Sequence, residues 1–153
     1  MKRECVVVRL KPTVLEAAQR LLAAREKTRA QLEQALLRRG YSPEAVLDAV
    51  TRLERLGVLS DRRAAALHAR KGFEARQSTV AVTRKLVGLG LGEAEAGAAV
   101  AEARVEAGHD DEAAARALLA RRRLEGVKAA RFLASRGFDE VLIRRLLDLE
   151  DAP

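Results

Sequence analysis

The chain has 153 residues, of which 29 are Lys or Arg and 22 are Asp or Glu, so its formal net charge is +7. Its single cysteine, Cys5, excludes an internal disulfide. No apolar run is long enough to cross a membrane, and no signal-like segment follows the start, so we expect a soluble cytoplasmic protein. Good helix formers dominate and only 3% of the residues are aromatic, which predicts an all-α fold with a core of Leu, Val and Ala.

The first helices are indicated by their capping residues. The segment Cys5–Leu10 is β-branched but has no second strand to pair with, so we interpret residues 1–12 as an N-terminal arm. Thr13 and Thr28 each open a capping-box pattern, which predicts one helix up to about residue 24 and a second one after Thr28. A third helix is expected from Pro43 to Leu56, and four of its residues should be buried: Val46, Leu47, Val50 and Leu53.

A glycine that ends a helix recurs along the chain. Gly40 is preceded by a leucine four residues earlier, is followed by an apolar residue, and stands just before a new helix start. The same arrangement surrounds Gly90 and Gly137, and a left-handed backbone at such a position favours glycine. The apolar positions after each glycine also correspond, six residues on at Val46, Ala96 and Ile143 and ten residues on at Val50, Val100 and Leu147.

These matches predict three tandem three-helix repeats at residues 13–59, 60–108 and 109–153. The helices of the second repeat are expected at about 61–71, 78–89 and 93–107, with Gly72, Gly90 and Gly108 as stops. Those of the third are expected at about 111–125, 127–136 and 140–149. Repeats that contact only their neighbours should form an elongated, curved molecule.

No residues form a catalytic or metal-binding pattern. His68 should pack near Phe73 and His109 should be exposed, and neither has an evident nucleophile or carboxylate partner. Asp110, Asp111 and Glu112 are interpreted as helix-capping and dipole residues. The glycines at 88, 90 and 92 lack the preceding strand of a phosphate-binding loop. We therefore predict a protein that is not an enzyme and has no cofactor or metal.

The positive charge is uneven along the chain. Residues 1–59 hold 12 Lys/Arg against 7 Asp/Glu, a balance of +5, whereas residues 109–153 hold 9 of each. This excess indicates an anionic partner, and the alternative is a solvated surface in an arginine-rich protein. The candidate partner-binding residues are Arg25, Lys27, Arg29, Arg38, Arg39, Arg70, Lys71, Arg76, Arg84, Lys85, Arg121, Arg122, Arg123, Lys128 and Arg131.

Direct reading of nucleic-acid bases is not indicated. The four aromatic residues, Tyr41, Phe73, Phe132 and Phe138, stand at positions that the core should claim, so they are not platforms for stacked bases. The chain also has no asparagine, one of the residues with which recognition helices read bases. DNA contacts should therefore be made to phosphates, and be weak and sensitive to salt. Arg84 and Arg131 both lie six residues before their glycines and should occupy equivalent faces.

Two parts of the sequence have a specific pattern of residues. The C-terminal part is Phe132–Phe138 with Ile143 and Leu147. The N-terminal part consists of Thr28–Leu32, Leu36, Arg39–Ser42, Val46, Leu53, Gly57 and Leu59–Asp61. Both parts resemble the RecX family, the bacterial regulators of the RecA recombinase.

The resemblance covers about residues 13–149 and implies three tandem three-helix repeats. It further implies a regulator that binds RecA–DNA filaments in their helical groove and inhibits RecA ATP hydrolysis, strand exchange and co-protease activity, in DNA repair, homologous recombination and the SOS response. We expect a monomer whose contact with DNA is weak or depends on the filament. The alternative is a basic helical protein that binds naked DNA.

The middle of the chain departs from the family pattern. An aromatic residue that the family places after an acidic pair is replaced here by Ala64 and Ala65, and a Gly-Pro helix start is replaced by Gln77–Thr79. The smaller side chains predict a second repeat that is either less tightly packed or formed by more closely approaching helices.

Overall fold

A computed structural model describes residues 10–148. Over this range the chain forms nine helices and no strand, which confirms the all-α fold and the tandem three-helix repeats. The predicted arm falls largely outside the described residues, and so does Cys5. The helices are α1 (Val14–Ala24), α2 (Arg29–Arg38), α3 (Pro43–Arg55), α4 (Asp61–Glu74), α5 (Thr79–Gly88), α6 (Glu93–Ala107), α7 (Asp111–Arg122), α8 (Gly126–Ser135) and α9 (Glu140–Leu146).

The chain divides into two compact units, one up to Leu59 and one from Ser60 onward. The first unit contains α1 to α3. The second contains α4 to α9, so the second and third predicted repeats belong to one unit. The division into three separate domains remains a prediction.

The expected capping boxes start α1 and α2. Thr13 Oγ1 accepts from the Glu16 amide at 3.2 Å, and Glu16 Oε2 accepts from the Thr13 amide at 3.0 Å. Thr28 and Gln31 form the same reciprocal pair at 3.2 and 3.0 Å. These bonds satisfy backbone donors that have no partner inside the helix.

Glycine ends the middle helix of every repeat, as predicted. Gly40, Gly90 and Gly137 have φ of +83°, +98° and +79°. In each case the following amide donates to the carbonyl oxygen five residues earlier, at 3.2 to 3.4 Å, which is the Schellman arrangement. The register that sorts core leucines from exposed arginines is therefore set by the same turn three times.

The prediction that Gly72 ends a helix is wrong. The helix α4 continues to Glu74, and the left-handed residue is Arg76, with φ of 57°. Gly72 is buried inside α4, where a Cβ atom would come within 2.7 Å of Val82 Cγ2 on α5. Glycine is therefore needed at position 72 because α4 and α5 touch there. It is not needed for a turn, since the helix continues through this residue. The helices α7 and α9 are also shorter than predicted and end at Arg122 and Leu146.

Each repeat has its own cluster of buried apolar side chains. The corresponding positions Val46, Ala96 and Ile143 are buried, as predicted, and so are Val50 and Val100. Leu147 is only half-buried against the third cluster. The prediction for Leu47 is wrong, because its side chain is 54% exposed and Ala49 occupies the buried face of α3.

The second repeat is packed through small residues. Ala64, Ala65 and Ala69 are completely buried, and α4 touches α5 at Gly72. Of the two expected consequences of small side chains, the structure shows the closer approach of helices. Because Gly72 has no side chain, Val82 packs directly against the backbone of α4.

The prediction that His109 is exposed is wrong. Its side chain is 6% exposed and stacks on Phe73, with ring centroids 4.2 Å apart. His109 Nε2 lies 2.8 Å from Asp111 Oδ1, which also accepts from the Thr79 amide and hydroxyl at 2.9 and 3.0 Å. Asp111 therefore joins α5 to the start of α7, whereas Asp110 caps α7 as expected.

Candidate anion-binding surface

Four of the predicted basic residues form a cluster in the first unit. Arg25 and Lys27 lie in the α1–α2 connection, and Arg38 and Arg39 lie at the end of α2. Partial burial, followed by the positive charges of Arg25, Arg39 and Arg38, holds the pKa of Lys27 below its ordinary value. The two sequence segments thus place their charges close together. We call Arg25, Lys27, Arg38 and Arg39 the repeat-1 cluster.

Arg29 has a structural role beside this cluster. Its guanidinium donates to Glu33 at 2.8 Å and also to Glu54 on α3, so it ties α2 to α3. An arginine held by two carboxylates presents little net positive charge to a partner. The structure therefore separates Arg29 from the repeat-1 cluster.

Lys11 extends the basic surface of the first unit, and sequence analysis did not identify it. Its Nζ lies 4.4 Å from the centroid of the Tyr41 ring, within range of a cation–π interaction. The Tyr41 hydroxyl in turn donates to the Pro12 carbonyl oxygen at 2.6 Å. Lys11 Nζ also lies 3.7 Å from the position of a Cβ atom at Gly40, directly beside Arg39 in the chain.

The predicted basic residues of the second repeat fall at two places. Arg70, Lys71 and Arg76 are exposed around the end of α4, and Arg70 forms a 3.8 Å ion pair with Glu74. Arg84 and Lys85 are exposed on α5 and line a cleft of about 340 Å³ together with Arg136. The floor of the cleft includes Ala81, Ser135 and Gly137. We call Arg84, Lys85 and Arg136 the junction cleft, because they come from the second and third repeats.

Arg136 also connects the junction cleft to the third repeat. Its guanidinium carbon lies 5.2 Å from the centroid of the Phe132 ring, and that of Arg122 lies 4.9 Å from the same centroid. The other predicted cations of this repeat, Arg121, Arg123, Lys128 and Arg131, are exposed but do not line the cleft. Arg84 and Arg131 are both exposed on the middle helix of their repeats, and only Arg84 reaches the cleft.

Arg136 was missed because its neighbours come from another repeat. A signal did exist in the sequence, since Arg136 directly precedes Gly137 as Arg39 precedes Gly40. Comparison of the repeats position by position would have placed both arginines at the same turn.

A groove between α4 and α6 has the opposite charge. It has a volume of about 270 Å³, its floor is alanine, and Glu95, Glu102 and Glu106 line it. Arg62 also lines the groove and lies 3.6 Å from Glu102. Like charges would repel a nucleic acid here, so the anion-binding surface does not extend over this face of the second repeat.

Within residues 10–148 no three His, Cys, Asp or Glu side chains are grouped so that they could hold a metal ion. Within the same range, no helix combines the length and apolar character needed to cross a membrane. The observed chemistry is that of grouped cations on a helical scaffold.

The fold therefore defines an all-helical protein of tandem three-helix repeats. A sequence model of the first three-helix domain of RecX matches residues 15–53. The Regulatory protein RecX of Halorhodospira halophila is 34% identical over 139 residues, which cover 86% of this chain and 84% of that protein. The chain belongs to the RecX family of regulatory proteins.

Solved structures show the same fold. The crystal structure of RecX from Lactobacillus salivarius has a TM-score of 0.67 at 19% identity, covering 90% of this chain and 94% of that one. A second crystal structure of a regulatory protein RecX has a TM-score of 0.70 at 17% identity, covering 88% and 72% of the two chains.

Proposed function

We propose that this protein regulates the RecA recombinase by binding RecA filaments on DNA. Membership of the RecX family carries this proposal, because the relative at 34% identity is a regulatory protein and is matched along most of its length. The RecA partner is what the resemblance of Thr28–Leu32 and Phe132–Phe138 to the family implies. The protein acts by binding, without a cofactor, as a cytoplasmic monomer.

The surface charge supports a filament as the target. The repeat-1 cluster and the junction cleft hold cations in both compact units, whereas the alanine-floored groove of the second repeat is acidic. A RecA–DNA filament exposes both DNA phosphates and protein, so both the basic and the acidic surfaces of this protein can contact it. Naked DNA offers only the phosphates.

Inhibition follows from binding across neighbouring RecA protomers in the filament groove. A protein that binds one filament conformation more tightly stabilises that conformation and opposes the changes needed for turnover. ATP hydrolysis, strand exchange and co-protease activity all depend on filament growth or movement, so each should fall together.

The test compares binding to RecA filaments with binding to bare DNA. Labelled single-stranded DNA is titrated with the protein, with and without RecA and a slowly hydrolysed ATP analogue. We expect the protein to bind RecA-coated DNA more tightly than bare DNA. Equal affinity for bare DNA, with a steep salt dependence, would support the second candidate, a basic helical protein that acts on naked DNA and is favoured by the junction cleft.

A further inference from the structure

We propose that the junction cleft is a binding site for a phosphate group of a nucleic-acid backbone. The inference rests on the proposed function for its biological setting and deepens it, since it assigns the DNA contact to Arg84, Lys85 and Arg136. The binding chemistry itself can be measured without RecA.

The lining of the junction cleft is positively charged. Arg84 and Lys85 are neighbours on α5, and Arg136 comes from the turn after α8, so three cations from two repeats line one concave surface. No carboxylate is among the residues that line it. Cations that share a cleft repel one another, and an anion bound between them removes that repulsion.

Contacts of the backbone hold the junction cleft in place. Ser78, at the start of α5, is completely buried, and its hydroxyl lies 2.8 Å from the Gly137 carbonyl oxygen and 3.2 Å from that of Arg136. A Cβ atom at Gly137 would lie 3.2 Å from Ala81 Cβ, so the turn is packed closely on α5. The backbone of Arg136 is thereby held against the start of α5 before any ligand binds, which lowers the entropy cost of binding.

The same contact removes groups that would repel an anion. The end of a helix exposes carbonyl oxygens, and their partial negative charge disfavours a phosphate. Here the carbonyl groups of Arg136 and Gly137 are directed at the Ser78 hydroxyl. The amide oxygen of Gln77, which also lines the cleft, is buried, and it would lie 3.0 Å from a Cβ atom at Gly72.

The residues that line the cleft favour a phosphate over a protein partner. Protein interfaces depend on large apolar or aromatic anchors that fill pockets, whereas the uncharged lining residues here are Gln77, Ala81, Ser135 and Gly137. Arginine presents a planar fork of donors that matches two oxygens of one phosphate. Beyond the cleft, Arg136 and Arg122 share contact with Phe132, so the cations continue along a path that a chain of phosphates can follow.

The experiment measures binding to fluorescein-labelled dT30 by anisotropy, without RecA, over a series of salt concentrations. The variant is Arg84→Gln with Arg136→Gln, and the control is Arg20→Gln with Arg55→Gln. Both pairs remove two exposed arginines and change the net charge equally. We expect the variant to bind at least about 10-fold more weakly, and its salt slope to fall by about 0.7, the value for one lost phosphate contact on a single strand. The control should retain most of its affinity.

Circular dichroism of both variants checks that the helices are intact. Absence of binding by the unchanged protein, or an equal loss in variant and control, would overturn the proposal. Competition tests the ligand class, and inorganic polyphosphate should displace the labelled DNA at concentrations where poly-glutamate does not. Equal displacement by poly-glutamate would overturn the phosphate assignment.

A RecA assay on the same proteins distinguishes this failure from failure of the proposed function. If the variant binds DNA normally but suppresses RecA ATP hydrolysis less, the cleft faces protein and the phosphate site is wrong, while the proposed function stands. If the unchanged protein binds dT30 through the cleft but has no effect on RecA, the proposed function fails and the phosphate site stands.

Discussion

Ser78 and Gly137 lie 59 residues apart in the sequence, and the Ser78 hydroxyl donates a 2.8 Å hydrogen bond to the Gly137 carbonyl oxygen. The same hydroxyl accepts from the Ala81 amide at 3.1 Å and so caps α5. One buried side chain therefore both starts the middle helix of the second repeat and holds the corresponding turn of the third. The junction cleft depends on this pairing because Arg136 directly precedes Gly137 in that turn.

Changing Ser78→Ala should lower the free energy of unfolding by about 2–3 kcal/mol, since it removes a helix cap and leaves a partly buried carbonyl group without its donor. Ser42→Ala is the matched control. Ser42 also caps a helix, by accepting from Ala45 at 3.3 Å, but it is exposed, so the loss should be about 1 kcal/mol. Urea denaturation of the two variants measures the difference, and equal losses would show that the bond to Gly137 contributes nothing.

Gly72→Ala should destabilise the protein by about 1–3 kcal/mol, because the added methyl group overlaps Val82 on α5. Gly97 is the control, since it lies inside α6 with no atom within 4 Å of the position of a Cβ. Gly97→Ala should stabilise the protein by about 0.5–1 kcal/mol through its higher helix propensity. Thermal unfolding of the two variants should give shifts of opposite sign, and shifts of the same sign would contradict the close approach of α4 and α5.

The glycines of the chain show where reasoning from the sequence succeeds and where it fails. The turns at Gly40, Gly90 and Gly137 were predictable because a leucine, a glycine and a helix cap within a few residues define them locally. Gly72 stands in similar surroundings, yet it lies inside a helix, where its contact with Val82 leaves no room for a side chain. The sequence alone does not distinguish these two uses of glycine.

The candidate binding surface also has a part that was predictable from the sequence and a part that was not. The repeat-1 cluster was predictable because its two segments flank one short helix. The junction cleft needs contacts between residues about 50 positions apart, so Arg84 and Lys85 were identified as a basic pair and Arg136 was not. His109 was misjudged for the same reason, since the residues that bury it, Phe73 and Asp111, approach from two repeats.

The repeat-1 cluster makes a prediction about Lys27. The amine of Lys27 should titrate with a pKa below its ordinary value, because burial and three neighbouring arginines disfavour the charged form. A lysine with a lowered pKa in the folded state destabilises the protein while it is charged. This penalty should begin to fall as the pH rises through the folded-state pKa, and it should be gone above the unfolded-state pKa.

The measurement is an NMR titration of the protein carrying ¹³C-dimethylated lysines. Removing neighbouring charge with Arg38→Gln and Arg39→Gln should raise the Lys27 midpoint toward its ordinary value. The control is Arg55→Gln, which alters a cation that is not among the causes of the lowered pKa. An unchanged midpoint in the double variant would show that Arg38 and Arg39 do not act on Lys27.

Glu112 makes a second pH prediction. A hydrogen bond from Arg116 is the main cause that holds the pKa of Glu112 below its ordinary value, and Arg145 contributes. The carboxylate therefore contributes stability above the unfolded-state pKa, and this contribution is lost as the pH falls through the lower folded-state pKa. Glu112→Gln should make stability less dependent on pH below about 4.5. An identical acid dependence in both proteins would contradict the assignment.

The central claim is that the protein regulates RecA filaments, and RecA ATP hydrolysis on single-stranded DNA tests it most directly. The protein is added at a small fraction of the RecA concentration, together with the Arg84→Gln/Arg136→Gln variant and the Arg20→Gln/Arg55→Gln control. The account predicts that the unchanged protein and the control suppress hydrolysis at this substoichiometric level, and that the variant does so less. Hydrolysis that proceeds at its full rate with the unchanged protein present would contradict the account.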